Sequence, residues 1–271
     1  MIRVALPTLL FERSPSQGMD VLLTNDDGFD SPGLHAVAEA LEDVCSVTIV
    51  APATDHSACG RGRSTRVGVT ERNGHFVVDG TPADCVIVGC TAVLESVDLV
   101  IAGCNVGGNL GIAGLGHSGT VSAAVEACFL GHPAIAVSLA IPEAHWPVDA
   151  DEVRFETAVN IIQQLIEAFD GEAPPLAENG YLNINVPYGV SSPAVMVTKP
   201  ANEYLVSADF DGSGATIGDQ SWSKMATESP SWPPTSDRGA IERENVSVSP
   251  LRPTHQVVPA GSIERMFADI D

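Results

Sequence analysis

Up to about Tyr188, apolar positions follow two alternating rhythms. Short solid runs at residues 19–24, 46–51, 99–103 and 134–138 have the length and β-branched content of buried strands. Between them, apolar residues recur every three or four positions. Leu34, Val37, Ala38 and Leu41 do so first; then Thr81-Pro82 opens a helix through Val88, and residues 118–131 form a helix of small residues. Phe155, Ala158, Val159, Ile162, Leu165, Ile166 and Phe169 make the strongest stripe. Shorter strand-like pieces lie near residues 67–70 and 76–79. Solid strands alternating with helices predict an α/β fold, with a mainly parallel sheet covered on both faces. Two glycine-bearing loops interrupt the pattern, residues 55–64 and a long one from the end of the third run to Gly116.

After Tyr188 the alternation stops. Residues 207–237 are rich in Ser, Gly, Asp and Pro and carry Trp222 and Trp232, as an irregular or hairpin-bearing segment would. Tryptophans there fit either an intersubunit surface or packing on the chain's own core. Residues 246–251 are again strand-like, with little core of their own, so pairing with another subunit is expected to bury them. The expected organisation is a disordered extension or mis-chosen start over residues 1–18, since Met19 stands just before the first strand. An α/β core over 19–190 follows, then a C-terminal oligomerisation arm or hairpin with a closing strand over 191–271.

Charge narrows the partners. The formal net charge is −22, from 35 acidic and 13 basic residues, and Lys199 and Lys224 are the only lysines. Such a surface repels nucleic-acid backbones and anionic membranes, so neither is an expected partner, and it suits a protein that works in high salt. The six cysteines, at 45, 59, 85, 90, 104 and 128, sit among apolar or small residues without a C-x-x-C pair, as reduced core thiols of a cytoplasmic protein do. No apolar run is long enough for a membrane span.

The candidate chemistry gathers where strands end. Leu22-Leu23-Thr24-Asn25-Asp26-Asp27-Gly28 runs from an apolar strand into two adjacent carboxylates, and Ser31-Pro32 then starts a helix. Ligand sites of open α/β sheets lie at the carboxyl ends of strands, and hard divalent cations prefer carboxylate oxygens. The alternative is a plain Asp-Asp-Gly surface turn. Three further segments fit the same position: Pro52-Ala53-Thr54-Asp55-His56-Ser57 after the second strand, Cys104-Asn105-Val106-Gly107-Gly108-Asn109 after the third, and Ser118-Gly119-Thr120 at a helix start. Asn and Ser oxygens are neutral ligands for such a cation, and helix-start N–H groups suit a phosphate. Each residue taken singly fits a turn or cap equally well. The chain has no G-x-x-x-x-G-K-[ST] loop, H-E-x-x-H or G-x-S-x-G motif.

In order along the chain, Thr24-Asn25-Asp26-Asp27-Gly28, Ser31-Pro32-Gly33, residues 51–57 and Gly80-Thr81-Pro82-Ala83-Asp84 resemble the SurE survival-protein family of metal-dependent 5′/3′-nucleotidases. Residues 103–111, Ser118-Gly119-Thr120-Val121, residues 133–138, Asn183-Ile184-Asn185-Val186-Pro187 and Ser247-Val248-Ser249-Pro250-Leu251 continue the resemblance. It implies a Rossmann-like three-layer core and one divalent cation per subunit, Mg²⁺ or Mn²⁺, held by Asp26, Asp27, Ser57 and Asn105. Asp26 or Asp27 would serve catalysis. Asn25, Asn109, Ser118, Gly119 and Thr120 would contact the substrate phosphate. It further implies hydrolysis of nucleoside monophosphates by a homodimer or homotetramer. A short-chain exopolyphosphatase, or a non-catalytic phosphate or nucleotide sensor on the same fold, are the alternatives. Ile112-Ala113-Gly114-Leu115-Gly116-His117 and Gly60-Arg61-Gly62-Arg63 depart from the family's usual pattern, and both border the expected site.

Overall fold

The four solid apolar runs become four neighbouring strands of one sheet. The structure, a computed structural model, describes residues 18–142, 152–169, 180–203, 206–219 and 232–253. Its elements in chain order are β1 (Asp20–Thr24), α1 (Pro32–Leu41), β2 (Ser46–Pro52), β3 (Gly68–Arg72), β4 (His75–Asp79), α2 (Pro82–Val88), β5 (Leu99–Val106), α3 (Gly111–His117) and α4 (Gly119–Phe129). They continue with β6 (Ala134–Ala140), α5 (Glu156–Ala168), β7 (Tyr181–Pro187), β8 (Val195–Val197), β9 (Val206–Phe210), β10 (Ala215–Asp219), α6 (Asp237–Ile241) and β11 (Val246–Leu251). The main sheet has nine strands in the order β3-β4-β2-β1-β5-β6-β7-β11-β8. The stretch β4-β2-β1-β5-β6-β7 is parallel throughout.

Strand alternation sorts the core into two layers. Val21 and Leu23 face α1 and α5, where Leu34, Val37, Ala158 and Ile162 cover them. Leu22 faces the other way, with Val50 and Val100, toward Val86 of α2 and Val121 and Ala124 of α4. Leu22 and Leu23 are fully buried, each stabilising the fold by roughly 1.5–3 kcal/mol. Helix starts are locally encoded. Thr81 accepts the Asp84 N–H while the Asp84 side chain accepts the Thr81 N–H, a capping box with Pro82 in the first turn.

Two expectations change. The long glycine-rich loop contains a helix, α3, although its glycines are poor helix formers. Partners from the far end of the chain secure it: the Gly111 N–H donates to Asp237 and the Ile112 N–H to the Ala201 carbonyl. The closing strand also needs no second subunit. β11 lies inside the main sheet, antiparallel to β7 and parallel to β8. Trp232 is buried within its own chain, with the Arg238 guanidinium 4.7 Å over its ring. β9 and β10 form a separate hairpin whose Phe210 and Ile217 are 72% and 74% exposed. Trp222 and the extension before residue 18 lie outside the described residues.

Candidate active site

β1 and β5 are neighbours, yet the chain proceeds from β1 outward through β2 on one side and from β5 outward through β6 on the other. The crevice at their carboxyl ends is where such sheets bind ligands. The turn after β1 is shaped for it. Gly28 has φ +101°, a conformation that L side chains rarely adopt. The Asn25 side-chain amide donates to the Gly28 carbonyl at 2.9 Å and to Ser31 Oγ at 2.6 Å, tying the turn to the start of α1. The His56 N–H donates to the Asp26 carbonyl at 2.7 Å, which fixes the loop after β2 beside it.

Asp26 is 3% exposed, and Thr120 Oγ1 donates to its Oδ1 at 2.5 Å. Burial pushes its carboxyl above the usual range, opposed by the hydroxyl and N–H of Thr120. Gly119 permits this approach, since a Cβ there would stand 2.7 Å from the Asp26 Cβ. Asp27 is pushed up to about 7 by burial and then by the neighbouring Asp26 charge. Its Oδ2 is buried without a hydrogen-bond partner, as is Asn25 Oδ1. Asp55 adds negative potential to both carboxylates.

A bulge places Asn105. β5 pairs with β6 as far as Ala102 opposite Ala136 and resumes with Asn105 opposite Ser138, so two residues of β5 face one of β6. Gly103 makes this possible: its φ is +131°, and a Cβ there would meet the Val137 carbonyl oxygen. Gly33 lets α1 pack on the same bulge, because a Cβ would collide with the Cys104 carbonyl. The Asn105 amide nitrogen donates to the Gly107 carbonyl at 2.6 Å, leaving its Oδ1 as the oxygen available to a cation.

Asn109 is held by three buried side chains. Its N–H donates to Asn185 Oδ1 at 2.8 Å and its side-chain amide to Ser138 Oγ at 2.8 Å. Its carbonyl accepts from the Asn183 and Asn185 amides at 3.0 and 3.1 Å. Ser118 caps α4 by accepting the Val121 N–H at 3.0 Å. Ser57 is exposed, and its hydroxyl donates to Asp55 Oδ1 at 2.6 Å, which leaves lone pairs on Oγ. Asp27, Asp55 and Ser57 line a cleft of about 450 Å³ with Gly28, Thr54 and Val106.

The structure brings Asp26 against Gly119 and Thr120, sets Asp27 and Ser57 on one cleft, and ties Asn109 to β6 and β7, with one change of emphasis. The Thr120 hydroxyl is buried against Asp26, so it orients a carboxylate. Asp55, Ser138, Asn183 and Asn185 were not among the predicted site residues. The alternation of Asn183 and Asn185 in an otherwise apolar strand was the available signal, since residues two apart share a face. Among the described residues no three His, Cys, Asp or Glu side chains form a metal-binding group. The expected set is two carboxylates with the neutral oxygens of Asn105 and Ser57. Oxygen-only donors and a buried, unpartnered Asp27 oxygen fit a hard divalent cation.

The family model for survival protein SurE matches residues 21–206. The 5′-nucleotidase SurE of Haloquadratum walsbyi is 44% identical over 247 residues, covering 89% of this chain and 92% of that protein. That of Natronomonas pharaonis is 43% identical over 242 residues, covering 88% and 94%. The crystal structure of the Sure protein from Aquifex aeolicus matches with a TM-score of 0.75 at 30% identity, covering 91% of this chain and 99% of that one.

Proposed function

The chain belongs to the SurE family, and we propose that it is a 5′-nucleotidase, a divalent-cation-dependent phosphomonoesterase that releases phosphate from nucleoside monophosphates. The observation that carries this reading is the Asp26–Asp27 pair at the sheet's switch point, with one buried oxygen unpartnered. Asp26, Asp27, Ser57 and Asn105 would hold the cation, Mg²⁺ or Mn²⁺. When bound, it supplies Lewis-acid polarisation of a phosphoryl oxygen and lowers the pKa of a water.

The protein's own groups do the rest. Thr120 fixes Asp26 in one rotamer through a charge-assisted hydrogen bond. Either Asp26 or Asp27 would accept the proton of a nucleophilic water, through a carboxylate oxygen that the cation does not hold. Asn109, immobilised by Asn183, Asn185 and Ser138, presents a fixed contact to the phosphate. At the start of α4 the Thr120 and Val121 N–H groups already serve Asp26 and Ser118, so the Gly119 N–H is the first-turn donor that would serve a phosphoryl oxygen. The proposed setting is the cytoplasm, consistent with six free cysteines. Among the described residues no helix is long and apolar enough to cross a membrane.

Phosphate release from AMP, GMP and p-nitrophenyl phosphate, each with Mg²⁺, Mn²⁺ or excess chelator, tests the reading. Cation-dependent release from the nucleotides is expected. Tight AMP binding without turnover under any cation would instead favour a sensor.

A further inference from the structure

Asp237 and Gly111 are 126 positions apart, yet Asp237 Oδ2 accepts the Gly111 N–H at 2.6 Å. Its other oxygen, Oδ1, accepts the N–H groups of Ala201 at 2.9 Å and Arg238 at 2.7 Å. The Ala201 carbonyl in turn accepts the Ile112 N–H at 2.9 Å. The Asp237 N–H donates to the Lys199 carbonyl at 2.9 Å, and the Lys199 N–H to the Thr235 carbonyl at 3.0 Å. Residues 199–201 and 235–238 flank the β9–β10 hairpin in sequence. One fully buried carboxylate therefore joins residues 199–201 and 235–238 to the first residues of α3. Arg238 closes the joint, since a Cβ on Gly111 would stand 2.9 Å from its Nη2.

The loop so held has few means of fixing itself. Gly107, Gly108 and Gly111 have no side chains, and Gly107 and Gly111 adopt φ of +121° and +74°. Glycine-rich backbone is costly to order, and a small displacement of a substrate contact lowers reaction efficiency strongly. Asn109 is clamped from the sheet side by Ser138, Asn183 and Asn185; two residues on, the chain is clamped by Asp237.

We propose that Asp237 is a positioning residue for the reaction: by joining Gly111 to residues 199–201 and 235–238, it sets where the 105–111 loop presents Asn109 to the substrate phosphate. This deepens the nucleotidase reading and rests on it.

The test compares wild type, Asp237→Asn, Asn109→Ala and the double variant. KM for AMP, inhibition by vanadate, Mn²⁺ binding without nucleotide and hydrogen–deuterium exchange over residues 107–112 are measured on each. Asn at 237 keeps one acceptor oxygen and so loses one of the two clamps. Asp237→Asn should raise KM about tenfold, weaken vanadate inhibition by a similar factor and accelerate exchange over the loop, with Mn²⁺ binding held within about twofold. Added to Asn109→Ala, it should change KM by less than about twofold, because both act on one contact. Should Asp237→Asn not fold, Gly111→Ala, which keeps the carboxylate but crowds Arg238, should give the same signature. Unchanged loop exchange, fully additive effects in the double variant, or parallel losses of Mn²⁺ binding and KM would overturn the proposal. A wild type inactive on every nucleotide counts against the nucleotidase reading, and the exchange data still decide whether Asp237 holds the loop.

Discussion

Thr120 Oγ1 donates to Asp26 Oδ1 at 2.5 Å, from the first turn of α4 to the end of β1. Both residues are buried, so this hydroxyl supplies part of what water would otherwise give the carboxylate. Thr120→Val should therefore lower cation affinity and kcat together, and cost roughly 1.5–3 kcal/mol of stability. Thr120→Ser, which restores the hydroxyl, should recover most of the activity. Calorimetric Mn²⁺ titration of the two variants checks this; equal affinity in Val and Ser variants would remove Thr120 from the site.

Replacing either acid should separate activity from folding. Asp26→Asn and Asp27→Asn should each reduce turnover to background while the circular dichroism spectrum is retained, because the cation loses a charged ligand. Full activity in either variant, or wild-type activity in excess chelator, would refute the cation mechanism.

Asp27 also predicts a pH dependence. Its folded-state pKa, about 7, lies above its unfolded value near 4. The stability it contributes to the cation-free protein is therefore fully present below about pH 4 and lost as pH rises through about 7. Cation-free Asp27→Asn should melt above cation-free wild type at about pH 8, with the gap closing toward about pH 4. Cation affinity should weaken on acidification below about pH 7, since binding must displace the Asp27 proton. Melting curves of both proteins across that range decide the sign.

Disturbing the support of Asn109 should affect the substrate before the metal. Asn185→Leu removes the acceptor of the Asn109 N–H and a donor to its carbonyl. KM for AMP should rise several-fold, by roughly the worth of one or two hydrogen bonds, with Mn²⁺ binding little changed. A pure stability loss with normal KM would show that Asn109 does not meet the substrate.

The net charge of −22 bears on assembly. Salt that shortens the Debye length relieves the self-repulsion of such a surface. The exposed Phe210 and Ile217 of the hairpin then favour a dimer or tetramer in high salt that loosens and loses activity on desalting. Light scattering with parallel assays across a salt series checks this. A compact, active monomer in high salt would rule out subunit pairing through the hairpin.

Local pattern made much of this legible. The solid runs around Leu22, Ile49, Ile101 and Ile135 gave a buried parallel sheet, because only a two-sided core allows such runs. Asp26, Asp27, Asn105 and Ser118 were readable as strand-end or helix-start residues, since topology brings those ends together. Long-range partnership was not readable. Helix α3 runs against its own propensity and depends on Asp237 and Ala201. Trp232 and β11 pack within the chain rather than across an interface, because the sheet had room beyond β7. Ser138 looked like an ordinary strand residue, and the alternation of Asn183 and Asn185 marked a polar face without naming Asn109 as its partner.

The order of the outer strands bears on how the protein is made. β8 leaves the ribosome some fifty residues before β11, yet β11 is the strand that lies between β8 and β7. The nascent chain cannot complete its sheet by adding strands as they emerge. Until β11 inserts, the far edge of β7 is bare, and bare edges pair with other chains. A message cut short between β7 and residue 246 would yield a product holding both aspartates and an open edge. Cells producing such fragments should show them in aggregates or degraded, and fractionating a series of C-terminal truncations would reveal a sharp gain in solubility once β11 is included.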